Sequence, residues 1–352
     1  MSGPLEPPVL APGCGRRHPR PDLEDHVSKV QLDRPRRTAG KPAATSPAPR
    51  TRRTQIWRAR IDAKGSPYLY VAPFFLLFSV FGLFPLVYTF WVSLHDWEII
   101  GDREFVGLGN YVELVGDDRF WNAVYNTVGM FVIATVPQLT LALVIAYGLN
   151  RRLRARTLLR MAIVVPSVTS VAAVAIVFNQ LYARDFGLVN WLIGLVGVAP
   201  IDWQAHRWSS WIAISTIVDW RWTGYNAVIY LAAMQAIPRQ LYEAAAIDGA
   251  SAWRQFWSIT VPVLRPTIVF TVIISTIGGL QLFTEPLLFG SAGDMAGGSL
   301  RQFQTIAMYM FENAFRRFEY GYGATVAWML FLLILIGSLL NVLIVRRISS
   351  TR

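Results

Sequence analysis

Residues 322–345 read YGATVAWMLFLLILIGSLLNVLIV, and no Asp, Glu, Lys, Arg or His interrupts them. At 1.5 Å of rise per residue, about 20 such residues cross the roughly 30 Å hydrocarbon layer of a bilayer. The run is also apolar on all sides, whereas a surface helix of a water-soluble domain keeps a polar face. Five more runs of this kind lie near Tyr68 to Leu94, Ala123 to Leu149, Leu158 to Tyr182, Ser209 to Ala236 and Thr267 to Phe289. The expected fold is therefore all-α: a polytopic membrane helix bundle of six transmembrane helices within residues 67–348. Pro73, Pro85, Pro137, Pro166, Gly278 and Gly279 fall inside these runs. In water they would end helices, but in a bundle the freed backbone groups can be satisfied by neighbouring helices or a water-lined cavity.

Composition agrees with a membrane class. Of the 352 residues 53% are hydrophobic and 16% charged, where soluble domains carry about a quarter charged. The net charge of +11 would suggest nucleic acid if it were spread over a surface. Most of it is not: up to Lys64 there are 14 basic and 6 acidic residues, in an Arg/Pro/Ala-rich stretch with too few apolar groups to offset the entropy of ordering it. Residues 1–66 are expected to be a disordered basic cytoplasmic tail held near anionic lipid. It lacks the apolar core of a signal peptide. Cys14 is the single cysteine, which excludes disulfide frameworks and CxxC metal sites within the chain.

Orientation follows from Lys and Arg, which are retained on the cytoplasmic side. With six crossings, 25 basic residues fall on one side, including Arg151, Arg152, Arg154, Arg156, Arg160, Arg239, Arg254, Arg265, Arg346 and Arg347. Seven fall on the other: Arg103, Arg119, Arg184, Arg207, Arg301, Arg316 and Arg317. Both termini are expected to be cytoplasmic, with 349–352 a short cytoplasmic tail, in a multi-pass protein of the bacterial inner (cytoplasmic) membrane.

The connection at 237–266 lies on the basic side and reads as two short helices rather than a loose loop. Pro238 suits an opening turn, Leu241 to Ile247 is a strong helix former, and Gly249 offers a break without a Cβ penalty. The second helix is expected from about Ala252 to Ile259, stopping before Pro262. Glu243-Ala244-Ala245, three residues, Gly249, nine residues and then Ile259-Thr260-Val261-Pro262 resembles the Glu-Ala-Ala…Gly…Ile-x-Leu-Pro signature of permease subunits in binding-protein-dependent ATP-binding-cassette importers, with Val261 where Leu is usual. The resemblance extends over about Pro67 to Arg347. It implies that this loop is a coupling helix docking in a cleft of the ATPase, with Glu243 as the charged contact. It further implies that Ala244, Ala245 and Gly249 are small for close approach, and that Asp248, Ile259 and Pro262 complete the motif. The bland alternative is an amphipathic helix lying on lipid headgroups, with Trp253, Phe256 and Trp257 as anchors.

No phosphate loop of the G-x-x-x-x-G-K-[ST] kind occurs, and His18, His26, His95 and His206 show no metal spacing. No catalytic residue, metal or cofactor is expected on this chain, so ATP hydrolysis belongs to another polypeptide. Polar groups inside spans mark pathways. Asp219-Trp220-Arg221-Trp222-Thr223-Gly224-Tyr225-Asn226 and Gly278-Gly279-Leu280-Gln281-Leu282-Phe283-Thr284-Glu285 combine aromatic rings with amides, hydroxyls and a carboxylate. That mixture suits a neutral polyol, whose rings stack and whose hydroxyls need hydrogen bonds. The candidate path residues are Trp220, Trp222, Tyr225, Asn226, Gln281, Thr284 and Glu285, and Asp219 with Arg221 is a candidate structural pair. The chain looks most like carbohydrate importers, in which these two spans contact the sugar; the finer likeness is to subunits importing cellobiose or related di- and oligosaccharides. The implied partners are a second permease subunit in a heterodimer, ATPase subunits, an extracytoplasmic sugar-binding protein and the lipid bilayer, without nucleic acid. A permease for another polar solute, such as a polyol or glycerol phosphate, and a secondary sugar transporter are the competing readings.

Overall fold

The computed structural model describes residues 66–99, 103–151, 155–290 and 294–350. The expected basic tail, Ser66 apart, lies outside the described residues, as do Cys14, His18, His26, Arg152 and Arg154. The first helix, α1, runs over Ser66–Ser93 and contains a π turn at Ser79–Leu83 immediately before Pro85. A proline lacks its N–H and crowds the carbonyl one turn back, and the wider turn absorbs both effects. A two-residue antiparallel pair, β1 His95–Asp96 with β2 Glu104–Phe105, closes the loop that follows, with His95 opposite Phe105.

After a short α2, Gly109–Gly116, comes α3, Asp118–Asn150, capped by the Asp117 carboxylate accepting from the Arg119 amide. Next come α4 Arg156–Val168, α5 Val171–Leu181, α6 Leu188–Gly194 and α7 Arg207–Gln235. The remaining helices are α8 Arg239–Ile247, α9 Ala252–Leu280, α10 Thr284–Phe289, α11 Ile306–Phe311 and α12 Tyr320–Ser350. The last runs through 348, where the sequence placed the end of the bundle.

The six-span expectation is corrected. Among the described residues four helices are long and apolar enough to cross a membrane: α1, α3, α9 and α12, the last over Tyr320–Ile344. The third expected span is a pair of helices, α4 and α5, bent by 95° at their junction, so the count reaches five only if that pair is one span. Thr169 and Ser170 adopt extended conformations there, directly after Pro166 in the last turn of α4. The fourth expected span, α7, has the length but not the apolarity. Its polar residues Ser210, Ser215, Arg221, Thr223 and Asn226 are buried within the protein instead of facing lipid.

Burial follows the same division. α7 packs along α3 more extensively than any other helix pair, with α4 on another side. Gly224 makes the second approach possible: a Cβ there would lie 1.6 Å from the carbonyl oxygen of Ile163. Three apolar clusters organise the interior. Trp211, Ile214, Ile217, Met130 and Phe289 form one, Tyr230, Met234, Leu264 and Phe256 a second, and Leu114, Ile306, Tyr309 and Val326 a third. By contrast none of the apolar window of α1 is buried.

Candidate functional site

The loop after α7 is held by its own side chains. Pro238 begins α8, and the helix ends in a Schellman pair: the Gly249 amide donates to the Ala246 carbonyl at 3.1 Å and the Ala250 amide to the Ala245 carbonyl at 2.8 Å. That closure needs a left-handed residue, and Gly249 supplies it at φ +77° with nothing within 4 Å of where a Cβ would sit. The glycine of the signature therefore has a backbone role in this chain. Ser251 caps α9, accepting from the Arg254 amide at 3.3 Å.

The expected stop before Pro262 is also corrected. α9 continues through a π turn at Phe256–Thr260, and Pro262 sits in the first turn of the α segment that follows. The wider π turn just before it takes up the missing N–H and the crowding of the ring, as before Pro85. Pro262 and Ile259 are half-buried there.

Three contacts tie this corner to the bundle. The Tyr242 and Thr260 hydroxyls share a hydrogen bond of 2.9 Å. Phe256 is buried in the second cluster and meets the Tyr147 ring edge-on at 4.7 Å. The Tyr147 hydroxyl donates to the Ala252 carbonyl at 3.4 Å. The opposite face of α8 is free: Glu243, Ala244 and Asp248 are exposed, and Ile247 is 87% exposed. Trp253 and Trp257 extend that exposed surface beyond the corner.

A second site lies further along the same two helices. A cavity of about 250 Å³ is walled by α3, α7, α9 and the break between α9 and α10. Trp222, Tyr225, Asn226, Gln281, Thr284 and Glu285 all line it, so six of the seven residues expected in a path converge on one space. Trp220 does not. It faces away, its ring centroid 5.6 Å from that of Phe178 on α5. The aromatic contribution is Trp222 with Tyr225, edge to face at 5.9 Å, together with Phe131 and Phe283.

Sequence reasoning missed Thr135 and Gln138 on α3 and Ser275 on α9, which add hydroxyl and amide groups to the wall. Gln138, beside Pro137 within an apolar run, carried the signal that could have found them.

The charges at this site pair differently from the expectation. Arg221 donates through Nη1 to Glu285 Oε1 at 2.5 Å, and both residues are 7% exposed. Asp219 is not its partner: residues two apart on a helix point in different directions. Asp219 Oδ1 is buried and meets no hydrogen-bond donor among the described residues.

A separate network lies outside the spans. Glu312 accepts from Arg301 at 2.7 and 2.9 Å, from Gln304 at 2.6 Å and from Arg317 at 3.2 Å. Burial opposes ionisation of Glu312, but the hydrogen bonds from Arg301 and Gln304 and the charges of Arg301 and Arg317 outweigh it, leaving its pKa at about 2. No group of three or more His, Cys, Asp or Glu able to hold a metal occurs among the described residues.

A profile of the family described as "binding-protein-dependent transport system inner membrane component" matches residues 138–350, which include the loop and most of the cavity wall. The lactose transport system permease protein LacF of Rhizobium radiobacter is 39% identical over 279 residues, 78% of this chain and 92% of that protein. The trehalose/maltose transport system permease protein MalF of Thermococcus litoralis is 33% identical over 76% of this chain and 89% of its own length. Among solved structures, a chain of a bacterial ABC transporter involved in import of the acidic polysaccharide alginate superposes with a TM-score of 0.70. It is 20% identical and covers 84% of this chain and 99% of that one, a likeness of fold.

Proposed function

This chain belongs to the family of inner membrane components of binding-protein-dependent transport systems, and from that premise we propose that it forms the path for a neutral di- or oligosaccharide, such as cellobiose, through an ATP-driven importer. It is a multi-pass, non-catalytic permease subunit. The observation that carries the sugar reading is the cavity: Trp222 and Tyr225 beside Asn226, Gln281, Thr284, Thr135 and Gln138. Indole and phenol rings stack on the apolar faces of pyranose rings while amides and hydroxyls match their hydroxyl groups. The lactose and trehalose/maltose permeases among its relatives, similar over most of their length, support the same substrate class. A glycerol phosphate would want a cation facing the cavity, and Arg221 is already engaged by Glu285.

α8 is the docking element, on the cytoplasmic side, for a separate ATPase. Its exposed face carries Glu243 and Ala244, with Asp248 just beyond, and its half-buried side is held to Thr260 by Tyr242 and packs on the cluster that holds Phe256. The loop joins α7 directly to α9, two of the helices that wall the cavity. From Asn226 to the end of α7 is about 14 Å at 1.5 Å per residue, so displacement of the knob reaches the wall through rigid helix. A second permease subunit, ATPase subunits and an extracytoplasmic binding protein complete the assembly.

The test is uptake of labelled cellobiose, lactose and maltose by cells expressing this chain with the permease, ATPase and binding-protein subunits encoded beside it, for wild type and Glu243→Ala. ATPase pull-down is measured in parallel. ATP-dependent uptake of at least one of these sugars, lost together with ATPase binding in Glu243→Ala while membrane insertion persists, supports both roles. Unchanged uptake and binding in the variant contradict the docking role; absence of uptake for any neutral sugar contradicts the substrate class.

A further inference from the structure

Glu285 is the single Asp, Glu, Lys, Arg or His side chain in the cavity lining, and its charge does not stand alone. Arg221 lies off the lining, 7% exposed, and its Nη1 meets Glu285 Oε1 at 2.5 Å. Its guanidinium carbon stands 5.5 Å from the Trp222 ring centroid, so the cation is within reach of an aromatic group that lines the cavity. Arg221 Nε is buried with no acceptor among the described residues. A guanidinium with an unused donor beside a polar cavity would draw in a carboxylate or phosphate, because buried charges are held only when paired.

We propose that Glu285 is a specificity-determining residue that acts by screening Arg221: its carboxylate occupies the position that an anionic sugar's carboxylate would otherwise take, so the cavity accepts uncharged saccharides and excludes acidic ones. The inference rests on the sugar reading for its substrate class, but its physical core, a cation masked by one lining carboxylate, is testable apart from that reading. Two features of the wall agree with it. Every other polar group there, Gln138, Asn226, Gln281, Ser275 and Thr284 among them, is neutral. The pair also joins α7 to α10 across 64 positions of sequence, so the mask is built by the fold and not by helix neighbours.

The experiment is equilibrium binding of cellobiose and of cellobiouronate, its acidic counterpart, to the purified full chain, at low and high salt. Wild type, Glu285→Gln and the double variant Arg221→Gln/Glu285→Gln are compared, with the swapped pair Arg221→Glu/Glu285→Arg as the variant that keeps two opposite charges in place. Glu285→Gln is expected to bind the uronate about tenfold more tightly than wild type or better, the worth of one charge-assisted hydrogen bond. The gain should weaken with salt and vanish in the double variant. The swapped pair still masks its guanidinium with a carboxylate and is expected to bind the uronate no better than wild type; Glu285→Ala, which also removes the mask, is expected to show the same gain as Glu285→Gln and keeps the test available if that variant fails to fold. If a folded Glu285→Gln or Glu285→Ala binds the uronate no better than wild type, or the swapped pair gains as much as they do, the proposal is overturned. If the uronate gain appears but cellobiose binds no variant, the masking holds and the neutral-sugar reading is what fails.

Discussion

α1 and α7 are the two extremes of this protein. α1 is apolar along its whole length, with Phe74, Phe75, Phe78, Phe81 and Phe84 exposed, and none of its apolar window is buried by the rest of the chain. α7 buries Ser210, Ser215, Arg221, Thr223 and Asn226 and is too polar to count as a span by composition. Hydropathy reports what faces lipid, so it finds the helix that does least within this chain and passes over the helix that carries most of it. A helix enclosed by α3, α4 and α9 can keep polar groups because they face other helices and a cavity.

The contrast can be broken most sharply by packing. Gly224→Val puts a branched side chain where even a Cβ would lie 1.6 Å from the Ile163 carbonyl oxygen. It should cost about 3 kcal/mol or more and abolish insertion of folded protein, read as loss of a cooperative melt in detergent. Gly148→Ala on α3, with open space around it, should change stability by no more than about 0.5 kcal/mol in the same assay. Equal losses would mean that α7 is not held by close approach to α4.

Function gives the next effect. Trp222→Ala removes a ring from the cavity, whereas Trp220→Ala removes one that packs against Phe178. Sugar uptake should fall about tenfold in the first, at the scale of about 1.4 kcal/mol, and by under threefold in the second. Comparable falls would place both rings in the path.

A third effect lies outside both helices, in the Glu312 network. A carboxylate whose folded pKa is depressed to about 2 contributes stability that is present above the ordinary carboxylate range near 4 and lost as pH falls toward 2. Wild type should therefore lose stability over that window, and Arg301→Met should flatten the loss while lowering stability by about 2 kcal/mol at pH 7. An identical acid profile in the variant would show that Arg301 does not hold Glu312 ionised. The smallest effect belongs to α1: Phe81→Ala, at an exposed position, should shift the melt of the purified chain by about 0.5 kcal/mol or less.

How much of this was legible varies with the physics behind each feature. α1, α3 and α12 were readable because lipid exposure demands unbroken apolar runs. The corner at Gly249 was readable because a helix end followed by a left-handed residue leaves a short local pattern. The continuation of α9 past Pro262 was not, since a π turn leaves no compositional mark. The span count failed at α4 and α5, where Pro166 signalled a kink but not a 95° bend, and at α7, where length was mistaken for lipid contact. The Arg221–Glu285 pair was hidden because its partners are 64 positions apart and a nearer acid, Asp219, offered a false match. Six of the seven candidate residues line one cavity because polar and aromatic groups inside a span are kept where they can face such a space.

The central claim is that α7 and the α9–α10 break line a sugar path while α1 lies outside it, and cysteine accessibility tests it most directly. In a Cys14→Ser background, which is free of cysteine, Tyr225→Cys, Gln281→Cys and Phe81→Cys are each exposed to a polar, membrane-impermeant maleimide in the assembled importer, with and without saturating cellobiose. The expected result is labelling at 225 and 281 that the sugar slows at least about threefold, with no sugar effect at 81. Sugar-independent labelling at 225 and 281, or protection at 81 instead, would contradict it.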